Sequence, residues 1–290
     1  MPFEFGAYGP LRVRAERVAI PLPAPLRLLY ASDLHLGHRW TASVPDRLLE
    51  AARSARPDLI LLGGDLADNP RALPDLRRTV AGLSAVAPVG AIAGNHDARA
   101  GLRDVRLAVR VAVGRWLAED PFETPVRIDG AIRPSDGGPR ILCTHDPALF
   151  PAAVAAGYDL VLAGHLHGGQ CVLFERGGKQ YPAAWFNRWH GERFADGRAT
   201  MLVSRGAADT FPLRFRCPRE VILCALGPAE ADLSLAPPVL QSVSIRRRAG
   251  SVSPEGPKRQ MSASSLAAVA ARLHSMTVAC SAMGIRLAAG

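Results

Sequence analysis

The sequence predicts a layered α/β sandwich, and three observations carry that expectation. Short apolar runs of strand length alternate with amphipathic helical stretches through the first half of the chain. A series of further apolar runs follows, with no helical pattern between them. Several of the buried runs also end in glycine and polar residues, as strands do when they deliver side chains to the edge of a sheet.

Taken in order, residues 11–14 and 17–20 read as an edge strand that leads into the prolines 21, 23 and 25. Residues 26–31 form a strand ending at Ser32-Asp33-Leu34-His35-Leu36-Gly37. Residues 45–56 form a helix, with Pro45 in its first turn, Leu48, Leu49 and Ala52 on the inner stripe, and Pro57 as its stop. Leu59-Ile60-Leu61-Leu62 is a buried strand ending at Gly63-Gly64-Asp65. Residues 73–86 are helical through Leu76, Val80 and Leu83, and residues 89–93 make a strand ending at Gly94-Asn95-His96-Asp97. The spacing of Leu102, Val105, Val109, Ala112, Val113, Trp116 and Leu117 predicts a helix over residues 102–119. A strand over 141–144 ends at His145, a helix spans 148–155, and the run 158–163 is a buried parallel strand. Its end, Gly164-His165-Leu166-His167-Gly168-Gly169-Gln170, aims two imidazoles at one small volume. Residues 171–174, 200–203 and 220–226 read as closing strands of a second, more antiparallel sheet.

At 290 residues, with 48% hydrophobic and 21% charged residues, the composition is that of a soluble globular protein. Domain organisation divides at Gly227: a catalytic-size domain over 1–227, then a basic low-complexity tail over 228–290. Ser264 or Ser265 caps one helix expected over residues 266–279. The net charge is +9, almost all from arginine. The tail has seven basic and three acidic residues, which leaves +5 for the first 227. A charge of that size suits an anionic substrate and peripheral contact with an acidic membrane surface. Nucleic acid is not an expected partner, because no basic stripe is interleaved with aromatics. Five cysteines without Cys-x-x-Cys spacing point to a reducing compartment. There is no apolar signal region near the N-terminus and no apolar run of membrane-spanning length, so the expected location is cytoplasmic, peripheral at the inner membrane face.

The polar residues that follow buried strands are Asp33, His35, Asp65, Asn95, His96, Asp97, His145, His165 and His167. In a parallel sheet these ends gather along one edge, so three carboxylates, one carboxamide and five of the eight histidines converge. Such a cluster is expensive in a partly dry crevice unless cations accompany it. Mixed oxygen and imidazole donors without thiolates argue for Mn, Fe or Zn in a reactive site rather than a structural zinc.

Asp33-x-His35, Gly64-Asp65, Gly94-Asn95-His96-Asp97, Thr144-His145 and Gly164-His165-Leu166-His167, in that order, resemble the calcineurin-like metallophosphoesterase superfamily. The gaps match as well, at 32 residues from Asp33 to Asp65 and 30 from Asp65 to Asn95. Pro147 and Gly168-Gly169-Gln170 are similar to a bacterial branch that includes membrane-associated phosphodiesterases and UDP-diacylglucosamine pyrophosphatases. The resemblance covers residues 26–226 and implies a four-layer α/β sandwich, with two mixed sheets flanked by helices. It implies two divalent cations, one held by Asp33, His35, Asp65 and His167, the other by Asp65, Asn95, His145 and His165, with Asp65 bridging. It further implies hydrolysis of a phosphodiester or pyrophosphate by in-line attack of a shared hydroxide. His96 would act on the leaving oxygen, and Asp97 would orient His96 and favour its protonated form.

Two alternatives stand beside this reading: a phosphomonoesterase of the same fold, and a metal-free scaffold that binds partners. Scaffold descendants lose ligands, whereas every expected ligand is present here. A protein phosphatase is disfavoured because Asp65 is followed by Leu66-Ala67-Asp68-Asn69, without the arginine those enzymes carry there. Asp68 and Asp146 read as local cap or turn residues, His38 as a surface or supporting group, and His190 as part of a packed loop.

Overall fold

The computed structural model describes residues 3–8, 11–123, 126–135 and 137–228. The expected tail helix over 266–279 and its capping serines lie outside the described residues. In chain order the first half contains β1 (Phe3–Phe5), β2 (Arg12–Ala19), β3 (Leu26–Ala31), α1 (Val44–Ala55), β4 (Leu59–Gly63), α2 (Leu73–Ser84), β5 (Val89–Ile92), α3 (Asp97–Ala100), α4 (Leu102–Val111) and β6 (Arg115–Trp116). The second contains β7 (Arg127–Asp129), β8 (Arg140–Cys143), α5 (Phe150–Ala155), β9 (Leu160–Ala163), β10 (Val172–Arg176), β11 (Lys179–Pro182), β12 (Arg193–Asp196), β13 (Ala199–Val203), β14 (Leu213–Phe215) and β15 (Glu220–Gly227).

Two mixed sheets organise these elements. The first has the order β2-β15-β3-β4-β5-β6, and the second β12-β13-β9-β8-β7. Period-two burial along the strands builds three apolar layers. On β3 and β4, Leu29, Ala31, Ile60 and Leu62 face the helices α1, α2 and α4. Their neighbours Leu28, Tyr30, Leu59 and Leu61 face the second sheet, where they meet Ile141, Leu160 and Leu162. Leu142, Val161 and Ala163 look outward from the second sheet to Phe150 of α5. The result is the four-layer α/β sandwich, helices outside and two sheets within. Among the described residues, no helix is long and apolar enough to cross a membrane.

The structure corrects three local expectations. The second sheet is mainly parallel, with β12 against β13 its one antiparallel pair. The expected closing strands also part company: among the described residues β10 pairs only with β11, β13 joins the second sheet, and β15 enters the first between β2 and β3. Apolar content fixed these segments as strands but said nothing of their partners. Finally, the helix expected over 102–119 stops at Val111. Val113 adopts φ 67°, and a Cβ on Gly114 would lie 2.8 Å from the Val109 side chain. Trp116 then turns into the helix-side layer while Leu117 joins the layer between the sheets. The same apolar spacing had served a period of 3.6 equally well.

Leu162 lies in the layer between the sheets with no exposed surface. Leu162→Ala is expected to lower unfolding stability by about 2–5 kcal/mol in urea titrations. A loss under about 1 kcal/mol would mean that this layer does not hold the sheets together.

Candidate metal centre

The site forms where both sheets end. After β3 and β4 the chain continues as two loops zipped together by Asp33 N–H to Gly64 C=O (3.0 Å), His35 N–H to Asp65 C=O (2.9 Å) and Leu36 N–H to Leu66 C=O (3.1 Å). The second sheet is tied in where Asp33 Oδ1 accepts from His165 N–H at 3.1 Å. Ser32 Oγ donates to the other Asp33 oxygen at 2.6 Å. Five of the expected site residues sit at left-handed backbone angles: Asp33 (φ 57°), His35 (43°), Asp65 (52°), His165 (73°) and His167 (50°). Each such residue costs of order 1 kcal/mol or more, a pattern that accumulates where function demands it.

The imidazoles reveal what the site is built to hold. His35 Nδ1 donates to Asp68 Oδ1 (2.8 Å), His145 Nδ1 to the Gly63 carbonyl (2.8 Å), and His167 Nδ1 to Asp209 Oδ1 (2.8 Å) and the Ala208 carbonyl (3.1 Å). These partners only accept, so in each neutral ring the free lone pair lies on Nε2. The lone pairs converge. His35 Nε2 and His167 Nε2 are 3.3 Å apart, and His167 Nε2 is 3.6 Å from Asp33 Oδ1. His145 Nε2 lies 3.1 Å from Asn95 Oδ1, 3.2 Å from His165 Nδ1 and 3.3 Å from Asp65 Oδ2. Asp65 Oδ2 also faces His35 Nε2 at 3.7 Å. One carboxylate oxygen therefore looks into both groups.

Acceptors crowded together in this way require positive charge between them. The same crowding keeps the charge on Asp65 and a proton on His145. Burial alone would raise the Asp65 carboxyl, but the bond and charge of His145, with the His96 N–H, hold it at about 2. Burial alone would lower His145, yet Asp65 and Asp33 push it up to about 9. Donors within 4.8 Å of one another form three clusters: Asp33, His35 and His167; His35, Asp65 and His96; and Asp65, His145 and His165. Mixed carboxylate and imidazole donors with Asp65 shared fit a pair of divalent cations. Together these clusters make a dinuclear metal-binding site.

All nine expected site residues come together, but some roles change. The Asp97 carboxylate does not orient His96. It accepts from the backbone N–H groups of Leu66 (2.8 Å), Ala67 (3.0 Å) and Gly94 (2.8 Å), pinning two loops, and burial pushes it up to about 6. His96 Nδ1 instead lies between Asp68 Oδ1 (3.1 Å) and Arg99 Nη1 (3.0 Å). Burial lowers the His96 pKa, opposite to the expected protonated state. Asp68, read as a turn residue, is a buried hub that meets His35, His96 and, at 2.6 Å, His38. Burial opposes its ionisation, but bonds from His35 and His38 hold the carboxyl far below the usual range. Asp146 is the local cap expected of it, accepting from Ala148 N–H at 2.8 Å.

Asp209 escaped the sequence reading. It positions His167 and is itself clamped by the buried Arg214 at 2.6 and 2.8 Å. The signal was available, since Asp209 follows strand β13 and a glycine, as Asp65 and Asp97 follow β4 and β5. His190 belongs to a packed turn in which its carbonyl accepts from Gln180 N–H at 3.0 Å, and Trp189 packs edge-on against Phe150 and Phe194.

Residues 26–169, which contain all seven expected metal donors, match the calcineurin-like phosphoesterase family. The domain belongs to the calcineurin-like metallophosphoesterase superfamily. With the fold and the clustered donors, this makes the metallophosphoesterase domain a dinuclear, metal-dependent phosphoric ester hydrolase. Over 224 residues the chain is 27% identical to the phosphodiesterase YaeI of Escherichia coli (strain K12), covering 70% of this chain and 83% of that protein. It is 26% identical over 179 residues to the uncharacterized metallophosphoesterase YkoQ of Bacillus subtilis (strain 168), covering 53% of this chain and 66% of that one. Among solved structures, TT1561 of Thermus thermophilus aligns with a TM-score of 0.42 at 15% identity, over 66% of this chain and 94% of that one.

Two substitutions test the support around the donors. Asp209→Asn is expected to weaken metal affinity or activity by about 10–100-fold, the usual cost of losing a ligand's outer partner. A Cβ on Gly164 would fall 2.5 Å from Ser32 Oγ and 2.6 Å from Asp33 Oδ2, so Gly164→Ala must displace Asp33. Chelator-competition titrations should show weakened binding in both variants. Wild-type affinity in either would contradict the positioning described.

Proposed function

We propose that this domain cleaves a phosphodiester or pyrophosphate bond in an anionic small molecule, using two ions drawn from Mn, Fe and Zn. Asp33, His35, Asp65 and His167 would hold one ion, and Asp65, Asn95, His145 and His165 the other. The observation that carries this reading is the single Asp65 oxygen facing both His35 and His145. When bound, such a pair supplies Lewis-acid charge and a water of lowered pKa. The chain's own groups provide the rest. Arg99 Nη1 would donate to Nδ1 of the neutral His96 ring, which puts the ring proton on Nε2, where it can be given to a leaving oxygen. Asp97 keeps the Asn95-His96 turn against the Asp65 loop through its three backbone bonds. Preference for a diester draws support from the similarity to the Escherichia coli protein named a phosphodiesterase.

The test uses protein stripped with EDTA and reloaded with Mn, assayed on bis(p-nitrophenyl) phosphate and p-nitrophenyl phosphate. The diester is expected to be the better substrate. His96→Ala should cut its turnover about 10²–10⁴-fold. A faster monoester reaction would replace the diesterase reading with a phosphomonoesterase. Two bound metals with neither ester cleaved would count against both.

A further inference from the structure

Two side chains of one short turn, His38 and Trp40, reach acids that follow strands of different sheets, Asp68 after β4 and Asp209 after β13. Local backbone geometry delivers the turn. Asp68 N–H donates to the Leu36 carbonyl at 2.9 Å, which keeps the two loops together as far as Gly37. Gly37 adopts φ 114°, where a Cβ would fall 2.3 Å from Asn69 Nδ2. His38 Nε2 then donates to Asp68 Oδ2 at 2.6 Å. Thr41 Oγ lies 3.0 Å from the carbonyls of both His35 and His38, tying the turn back to the first metal histidine.

Asp68 is buried and ionised, so both of its oxygens need donors. Oδ1 has His35 Nδ1 at 2.8 Å, and Oδ2 has His38. A carboxylate held at both oxygens keeps one orientation, and that orientation decides where His35 Nε2 points. His38 is held in its turn. Its ring stacks on Trp40 with the planes 6° and the centroids 4.7 Å apart. Trp40 Nε1–H donates to the Asp209 carbonyl at 3.0 Å, and the Asp209 carboxylate fixes His167. The turn thus spans two acids 141 residues apart in the chain. Both serve one donor cluster, Asp33, His35 and His167. His145, in the other cluster, rests instead on the Gly63 carbonyl.

We propose that His38 is a positioning residue of the metal centre which, with Trp40 stacked on it, braces Asp68 and Asp209 and so governs the ion held by His35 and His167. This rests on the two-ion assignment and adds to it a support that acts on one ion and not the other. The His38 side chain is 28% exposed, so its truncation leaves the apolar layers intact.

The test is competition between the metal-stripped full chain and a fluorescent chelator for Mn, which involves no turnover. Two binding phases are expected in the wild type, one removed by His167→Ala and the other by Asn95→Ala. His38→Ala should weaken the first about 10–100-fold and change the second by less than about threefold. His38→Gln, which offers an amide N–H to Asp68, should bring the first phase back to within about threefold of wild type. Trp40→Phe keeps an aromatic stack but loses the N–H to Asp209, and should weaken the same phase. Equal loss in both phases, no rescue by glutamine, or wild-type affinity in either His38→Ala or Trp40→Phe would overturn the proposal. A wild type that binds one ion would count against the two-ion reading, while loss of that ion in His38→Ala with rescue by glutamine would still uphold the role of His38.

Discussion

The structure depends on a set of lone pairs that have nowhere else to go. Asp68, Gly63 and the Asp209 turn take the Nδ1 protons of His35, His145 and His167, which turns three Nε2 atoms toward carboxylate and amide oxygens. Without positive charge among them that arrangement is repulsive; with it, every donor is satisfied. The outer partners are as much a part of the site as the donors, because they decide which nitrogen faces inward. Asp68 does this for His35 while also meeting His96, so one carboxylate links the metal side of the site to the proposed leaving-group side.

Bringing donors from two sheets to one point imposes a backbone cost. Five donor residues occupy left-handed angles that their side chains disfavour. The surrounding glycines leave the necessary space: a Cβ on Gly94 would lie 2.2 Å from Asp65 Oδ1, and one on Gly206, itself at φ 80°, 2.8 Å from Asp33 Cβ. The apolar layers above and below hold these loops in place. Ala207 and Ala208 N–H groups bond to the carbonyls of Ser32 and Asp33 at 2.9 and 2.8 Å, closing the ring of loops around the centre. Rigidity comes from the sandwich, and strain is concentrated at its edge.

Much of this was legible in the sequence because each donor directly follows a buried run. Strands β3, β4, β5, β8 and β9 are recognisable from local apolar content, and their ends carry Asp33, His35, Asp65, Asn95, His145, His165 and His167. Strand order was less accessible. β15 resembles any closing strand, and only pairing over more than 190 residues places it against β3. The end of α4 turned on a close contact at Gly114 that no periodicity records. The supporting acids were hardest to read, since a carboxylate's partner depends on how its loop folds. Asp97 and Asp68 lie 29 residues apart, yet it is Asp68 that reaches His96, while Asp97 turns inward to backbone N–H groups.

The central claim is that Asp65 joins two cation sites into one. Its most direct test is electron paramagnetic resonance of protein reloaded with Mn, read together with the Mn content per chain. Two Mn ions per chain with an exchange-coupled spectrum, which decouples or falls to a single ion in Asp65→Ala, is the predicted result. One ion per chain in the wild type, or two with no magnetic coupling, would contradict it.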